Sequence, residues 1–500
     1  MEELPSYVLM LSLKEMALRR IAVVLINEPG FLYMTERFPF EPVEWYQSQW
    51  LETVDWVITD KMSKLELPES LSKQIIPILN AVGTEILKWK LFHKQFLCGY
   101  EENYDLHVVV DKLCWTSAGA VDDRKTAEAI VRSDVLDIVK RFKLACLYCL
   151  EDYIPGLWEE LPEKNKKTFC NERDISRVET PHLQSFLPCI LNSYSALEHI
   201  QATAPRNSFE YAALCGLKTL TEYCFGKLSK EERESSLVRT ATHVVKARNP
   251  SPLSEFEPMQ EKLSDVLVYL LSLMTPEERM RIFKKLPCGV LRCFLDWPWH
   301  EFFLDTADVI WTFLPKSKYK DLLEKIGSHI ANLGFYFPNF FQEFFLRSPR
   351  NFRKSFVDGE CRSVFFLRRF FSAEDSKTIE VIFRNIDAAD RVRLVFSQPI
   401  LNVFNEYLLC DRWCMIETCI REATLSKEDR GRLKGAFMEF VTRIDFGVRF
   451  NWRMQKRKRL FDFLDEIDAS LTDKRSPEDE TLVKAKKLCS GEENDSLPGN

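Results

Sequence analysis

The stretch Met274-Thr275-Pro276-Glu277-Glu278-Arg279 contains the start signal of a helix. The hydroxyl of Thr275 can accept a free backbone amide of the first helical turn, and Glu278 stands three residues later, where an acid completes a capping box. The two glutamates also favour the positive end of the helix dipole. The stretch therefore predicts a helix that begins directly after Thr275.

The same pattern of an apolar residue, a helix-capping residue and then charged residues recurs along the chain, and we call it a capping phrase. Clear copies are Leu228-Ser229-Lys230-Glu231-Glu232-Arg233 and Leu425-Ser426-Lys427-Glu428-Asp429-Arg430, and weaker versions lie at 314–315, 348–350 and 386–391. Counted from the second residue of each phrase, the intervals are 46, 40, 33, 39 and 39 residues. Spacing near 40 suits two helices of about 15 residues with their loops, the unit of an α-solenoid. The alternative is a non-repetitive helical array whose caps recur by chance.

The composition also favours helices. The chain has 16 glycines in 500 residues, about 3% against an average near 7%. Nucleotide-binding α/β folds, β-barrels and β-sandwiches need glycine in their phosphate loops, turns and bulges. The low glycine content therefore argues against these folds. Apolar residues recur at helical spacing, for example along 135–149. We therefore predict an all-α fold, an irregular helical array that forms a degenerate α-solenoid of roughly 40-residue helix pairs.

Charge and composition suggest three regions. These are an N-terminal helical region over 1–200, a helical-repeat region over 201–445, and a basic helix end with an acidic, disordered tail over 446–500. The formal net charge is −6, and residues 461–500 alone carry 11 acids and 5 bases, which is also −6. A neutral body with an acidic tail argues against nucleic acid as the partner.

Cysteine usage and hydropathy predict a cytoplasmic protein. The 15 cysteines are scattered and lie mostly in apolar helical context, and the acidic N-terminus does not resemble a signal peptide. No window approaches the ~20 apolar residues that a membrane-spanning helix needs. The cluster Lys456-Arg457-Lys458-Arg459 fits either a solvated helix end or a nuclear-import patch, so a nuclear location is the alternative.

Searches for catalytic chemistry predict a non-enzymatic protein with no catalytic residue, cofactor or metal. The sequence has no dinucleotide fingerprint, phosphate loop, HExxH or GxSxG motif, and none of its seven histidines is paired at ligand spacing. Cys146 and Cys149 form a CxxC pair, but they fall on an apolar helix face and are better explained as core than as zinc ligands. An enzyme whose site assembles from dispersed residues remains an alternative.

The aromatic and basic segment 340–371 has two interpretations. Its phenylalanines fall at helical spacing, which predicts core residues with arginine side chains lying over the surface. Interleaved aromatic and basic side chains could instead bind an anionic partner by stacking and phosphate pairing. We favour the core interpretation.

One N-terminal motif points to a partner. The stretch Ser12-Leu13-Lys14-Glu15-Met16-Ala17-Leu18-Arg19-Arg20-Ile21 resembles the elongin-binding box of SOCS-box-type ubiquitin-ligase adaptors, with Ser12, Leu13, Ala17 and Ile21 at the positions that define the box. Spacing of four residues places Leu13, Ala17 and Ile21 on one helix face. The sequence departs from that family because the box opens the chain and Phe38-Pro39-Phe40-Glu41-Pro42 does not match a cullin box.

A second resemblance covers more of the chain. Arg141-Phe142-Lys143-Leu144-Ala145-Cys146-Leu147-Tyr148-Cys149-Leu150-Glu151-Asp152, Leu157-Trp158-Glu159-Glu160-Leu161-Pro162, Asp296-Trp297 and the repeated capping phrases look like a family of uncharacterised arthropod helical proteins. That resemblance implies an all-α fold and no particular activity.

The functional prediction is a helical-repeat scaffold that binds a protein or peptide of unknown identity. Stacked helices present extended surfaces, and the sequence offers no set of residues that could catalyse a reaction. The alternative is a ubiquitin-ligase substrate adaptor that binds elongin through the box-like helix, with Leu13, Ala17 and Ile21 as the candidate contact residues.

Overall fold

A computed structural model describes residues 7–36, 60, 62, 67–97, 106–170, 205–248, 258–319, 321–323, 326, 338–357, 360–444 and 451–473. Within these ranges the chain is helical, and its sole extended pairing is an isolated bridge between Trp115 and Val121. The predicted all-α fold is confirmed. Over the same ranges, no helix combines the length and the apolar character needed to cross a membrane.

The chain divides into two compact units, Met1–Ser348 and Pro349–Asn500. The sequence-predicted boundaries after residues 200 and 445 both fall outside the described residues, as does the predicted disordered tail beyond 473. Those three predictions remain untested.

The described helices of the first unit come in this order: α1 Leu13–Ile26, α2 Pro29–Glu36, α3 Glu69–Leu97, α4 Asp123–Val131, α5 Ile138–Leu147, α6 Ile154–Glu160, α7 Glu163–Cys170, α8 Pro205–Leu214, α9 Lys218–Lys227, α10 Lys230–Ala247, α11 Pro258–Leu273, α12 Pro276–Lys285, α13 Pro287–Cys293, α14 Glu301–Ile310 and α15 Pro338–Arg347. A 3-10 helix at Leu106–Lys112 follows α3. The helix α3 is central, since it packs against α1, α5 and α11.

The second unit contains α16 Arg350–Val357, α17 Glu360–Ser372, α18 Ser376–Arg384, α19 Ala388–Phe396, α20 Gln398–Leu409, α21 Cys414–Ala423, α22 Lys427–Ile444 and α23 Asn451–Asp473. Each helix from α16 to α20 packs against the helix three places later in the chain. The first helix of each group of three begins at 350, 388 or 427, which gives intervals of 38 and 39 residues.

The roughly 40-residue interval in this unit encloses three helices rather than the predicted two. The additional breaks have local causes, because Gly359 lies between α16 and α17 in the sequence and Pro399 is the second residue of α20. Glycine and proline are the strongest breakers of helical pattern. The solenoid arrangement itself stays a prediction.

The capping phrases mark real helix starts. Ser229 and Thr275 each close a capping box, with Glu232 and Glu278 at the third helical position. The amide of Asp429 donates to the Ser426 hydroxyl at 3.0 Å, directly before α22. The predicted N-caps at Ser229, Thr275 and Ser426 are confirmed.

Candidate protein-binding surface on the first helix

Helix α1 begins at the box-like motif because Ser12 caps it. The amide of Glu15 donates to the Ser12 hydroxyl at 3.2 Å, and the Ser12 amide donates to the Glu15 carboxylate at 2.8 Å. This reciprocal pair is a complete capping box, so Ser12 has a structural role at the helix start.

The inner face of α1 packs against α3. The buried side chains of this face are Leu18, Ala22, Val23, Leu25 and Ile26. Gly83 allows the close approach, since a methyl group there would lie 3.2 Å from the Phe31 ring and 3.4 Å from Ile26. The packing leaves α1 one orientation about its axis.

Arg19 fixes that orientation further. Its guanidinium donates to the Ala118 carbonyl at 3.1 Å and to the Glu301 carboxylate at 2.9 Å, and it lies 4.5 Å above the centre of the Trp297 ring. Burial lowers the pKa of Arg19, while the charge of Glu301 acts in the opposite direction. A buried arginine held by a carboxylate, a carbonyl and an aromatic face is costly to displace.

The outer face of α1 carries the three sequence-predicted residues together. Leu13 is 81% exposed, Ile21 is 39% exposed, and Ala17 between them is also exposed. Val24, which is 52% exposed, extends the same face by one turn. We call Leu13, Ala17, Ile21 and Val24 the outer strip.

Sequence reasoning missed Val24, although the spacing could have found it. Val24 follows Ile21 by three residues, which is the next position on the same helix face. The charged neighbours Lys14 and Arg20 are both exposed, and the helical repeat places them on opposite edges of the outer strip. The surface is therefore an apolar strip with a basic residue on each side.

The CxxC pair lies in the core of the first unit. Cys146 and Cys149 are buried, and burial raises the pKa of the Cys146 thiol well above its ordinary value. In the described part of the chain, no group of three or more histidine, cysteine or acidic side chains could hold a metal ion. The absence of a metal or cofactor stays a prediction.

The aromatic and basic segment follows the core interpretation. Phe341, Phe344 and Phe345 are fully buried, as are Phe366 and Phe370. Three of its arginines contact acids of their own unit: Arg347 reaches Asp305 and Asp308, Arg350 pairs with Asp387, and Arg368 pairs with Glu406. These arginines are engaged inside the chain, which weakens the case for an anionic partner at this segment.

The basic cluster at 456–459 also contributes to the fold. Lys456 contacts the Asp411 carboxylate at 2.6 Å, and the guanidinium of Arg459 lies 5.1 Å from the centre of the Trp413 ring. Arg457 is buried and donates to the Asn405 side chain at 2.7 Å. The buried Arg457 differs from the solvated helix end favoured by the sequence, because its neighbours supply an amide oxygen to receive it. The location of the protein in the cell stays a prediction.

Comparison with protein-family models and with curated proteins gives no match for this chain. The resemblance to arthropod helical proteins accordingly stays an expectation, and the functional argument depends on the surface itself.

Proposed function

We propose that this chain is a protein-interaction scaffold that binds a partner helix along the outer strip of α1. The proposal depends on the location of the exposed apolar side chains. Over the described residues, exposed large hydrophobic side chains concentrate between 8 and 24, namely Val8, Met10, Leu13, Ile21 and Val24. Those elsewhere are scattered among α8, α11, α15, α22 and the 3-10 helix. Contiguous exposed apolar surface is typical of interaction sites, whereas single exposed hydrophobics are ordinary.

The chemistry of the strip supports a helical partner. From Leu13 to Val24 the helix rises about 17 Å, which matches three turns of an amphipathic helix laid alongside it. Lys14 and Arg20 on the two edges would attract acidic residues that flank the partner's apolar face. The partner is thus a helix with an apolar stripe and acidic edges.

The alternative partner is elongin. The common exposed face of Leu13, Ala17 and Ile21 favours this alternative, because the resemblance to the elongin-binding box uses these three positions. The segment 38–42, which departs from a cullin box, lies outside the described residues. The two candidates share one surface and differ in the protein that occupies it.

The test compares two variants of the full chain. The double variant Leu13→Glu/Ile21→Glu places charge on the outer strip, whereas Leu273→Glu places charge on an isolated exposed leucine at the end of α11. Both should fold, since substitutions at exposed positions usually change stability by less than about 0.5 kcal/mol. Proteins that co-purify with the wild type are identified, purified and titrated against all three chains.

A partner whose affinity falls at least ~10-fold with the double variant and is unchanged with Leu273→Glu supports the proposal. Purified elongin complex is tested in the same titration. Binding of elongin to the wild type that is lost in Leu13→Ala would favour the adaptor alternative. Equal binding by the double variant and the wild type for every partner would refute a binding role for the strip.

A further inference from the structure

A cleft of about 440 Å³ opens in the first unit between α3, α11, the start of α4, the start of α9 and the turn at 297–299. Pockets of this size accommodate small organic molecules. Of the charged residues that line the cleft, six are acidic and four are basic, so its lining has a formal charge of −2. The excess of acid indicates that a charged ligand would be a cation.

Two lysines in the cleft are already shared between acids. The Lys88 ammonium lies 2.5 Å from Glu261 and 3.4 Å from Glu85, and the Lys262 ammonium lies 2.8 Å from Asp123 and 3.6 Å from Asp265. Each lysine therefore sits closest to one acid. The second acid of each pair is only partly neutralised.

Glu85 is a buried acid of the cleft with a single, long polar contact within the described part of the chain. It is 7% exposed and lines the cleft, yet its contact to Lys88 at 3.4 Å is its sole polar contact among the described residues. Asp265, by comparison, accepts a hydrogen bond of 2.7 Å from the indole N–H of Trp299. Burial raises the pKa of the Glu85 carboxyl, against the charges of Lys88 and Lys262. A buried carboxylate held by one long contact still carries a desolvation cost, which a ligand cation can offset.

An acid oxygen of Asp123 in the same cleft makes no hydrogen bond among the described residues. Asp123 pairs with Lys262 through one carboxylate oxygen, whereas its Oδ1 is buried and makes no hydrogen bond within the described structure. Buried polar atoms without partners are rare in folded proteins, and a missing ligand is one of their physical explanations. Asp123 and Glu85 line the same cleft.

The aromatic walls of the cleft suit an ammonium on an apolar body. Phe92, Tyr148, Trp297 and Trp299 line it, and two of their rings already contact cations. The Lys262 ammonium lies 5.9 Å from the centre of the Phe92 ring, and Arg19 lies over Trp297. Ring faces attract cations most strongly where water is excluded.

Tyr148 adds an acceptor. Nδ1 of His93 lies 2.7 Å from the Trp89 carbonyl, which can only accept, so Nδ1 carries the proton. Burial lowers the pKa of His93 to about 3, which keeps the ring neutral and makes Nε2 an acceptor for the Tyr148 hydroxyl at 2.6 Å. The lone pairs of the Tyr148 oxygen then remain available to a donor in the cleft.

We propose that the cleft binds a small organic cation, a primary ammonium on an aromatic or apolar body, with Glu85 as its ion-pair partner. The ligand's ring would lie against the aromatic walls. This inference is independent of the outer strip of α1, because it uses different residues.

Three probes of similar size test the charge preference in the unmodified full chain: 2-phenylethylammonium, neutral 2-phenylethanol and anionic phenylacetate. Titration followed by ligand-observed NMR should show the ammonium binding at least ~10-fold more tightly than either of the others, since charge-assisted hydrogen bonds are about twice as strong as neutral ones. Phenylacetate binding as tightly as the ammonium, or no binding of any probe at millimolar concentration, would overturn the proposal.

Glu85→Gln locates the site while preserving its shape. The variant should bind 2-phenylethylammonium ~10-fold more weakly or worse and should leave 2-phenylethanol binding unchanged. The control is Glu234→Gln, which removes the same charge from an exposed position of α10. Undiminished ammonium binding by folded Glu85→Gln would also overturn the proposal, and the ranking of probes in the wild-type protein decides the case if that variant does not fold.

Discussion

The two units of the molecule differ in how regularly their helices pack and in how deeply their ion pairs are buried. In the second unit, each helix from α16 to α20 packs against the helix three places later, and ion pairs such as Arg384–Glu422 keep one partner mostly exposed. Among the described helices of the first unit, packing occurs at more than one offset, and acids and bases are buried together, as in Arg248–Asp296. Both surfaces to which we assign binding, the outer strip and the cleft, lie in the first unit.

The difference indicates which unit of the fold is suited to a ligand-binding site. In the second unit, each group of three helices repeats the same packing, and ion pairs such as Arg384–Glu422 keep an exposed partner. Buried ion pairs stabilise a protein little compared with apolar packing, so their presence calls for another reason. In the first unit, the pairs Lys88–Glu261 and Lys262–Asp123 line the cleft to which we assign ligand binding.

The largest expected effect comes from breaking a buried pair in the first unit. Arg248 donates to both carboxylate oxygens of Asp296, at 2.8 and 2.6 Å, and the Ser264 hydroxyl donates to the same acid. Asp296→Asn leaves the arginine buried without its counter-charge, which should lower the free energy of unfolding by about 3–5 kcal/mol. Urea unfolding followed by hydrogen exchange in the first unit measures the change.

Arg384→Met is the matched control in the second unit, because it removes a guanidinium from an exposed pair with Glu422. We expect no resolvable change in stability. Equal destabilisation by the two substitutions would remove the distinction between the units.

The next effect is a dependence of stability on pH. It should come from His93, which lies in the first unit. Its folded-state pKa of about 3 lies below the ordinary value of 6.5, so protons bind the unfolded chain more readily than the folded one. The associated stability is complete above about pH 6.5 and is lost as the pH falls. At pH 5.5 the loss should be about 1.4 kcal/mol relative to pH 8.

The measurement is the difference between the wild type and His93→Gln across this pH range, since other groups titrate equally in both. His243→Asn, at an exposed position of α10, serves as the control and should keep the wild-type slope. The prediction fails if His93→Gln follows the wild-type pH dependence.

The smallest effect should be the same in both units. Thr275 caps α12 in the first unit and Ser426 caps α22 in the second. Replacing either with alanine should cost about 1 kcal/mol, within a range of about 0.5–2, because each hydroxyl accepts an otherwise free amide. The exposed Lys230 provides the control, as Lys230→Ala should change stability by less than about 0.5 kcal/mol.

Hydrogen exchange on these variants tests how locally each unit responds. Thr275→Ala should increase opening around α11 to α14 and leave 400–440 unchanged, and Ser426→Ala should do the reverse. A uniform increase along the whole chain in either variant would contradict independent local responses.

Local signals account for what the sequence predicted. Ser229 and Thr275 each determine a helix start through contacts within four residues, and Leu13, Ala17 and Ile21 share a face by spacing alone. These features need no knowledge of tertiary packing.

The cleft could not be predicted, because its residues meet only through packing. Glu85, Asp123 and Glu261 are separated by tens to hundreds of residues and come together where α11 lies against α3. The number of helices per interval was missed for a different reason. The repeat was inferred from capping phrases, and α20 begins at Gln398, directly before a proline, without such a phrase.

Photo-crosslinking at residue 17 tests the central claim, that the outer strip of α1 contacts a partner protein. A photoreactive amino acid replaces Ala17 in the full chain, and a second chain carries it at the exposed position of Glu234 on α10. We predict a discrete adduct from position 17 alone, attached to an apolar, acid-flanked helix of the partner and abolished by Leu13→Glu. Equal yields from positions 17 and 234, or an adduct that survives Leu13→Glu, would contradict the account.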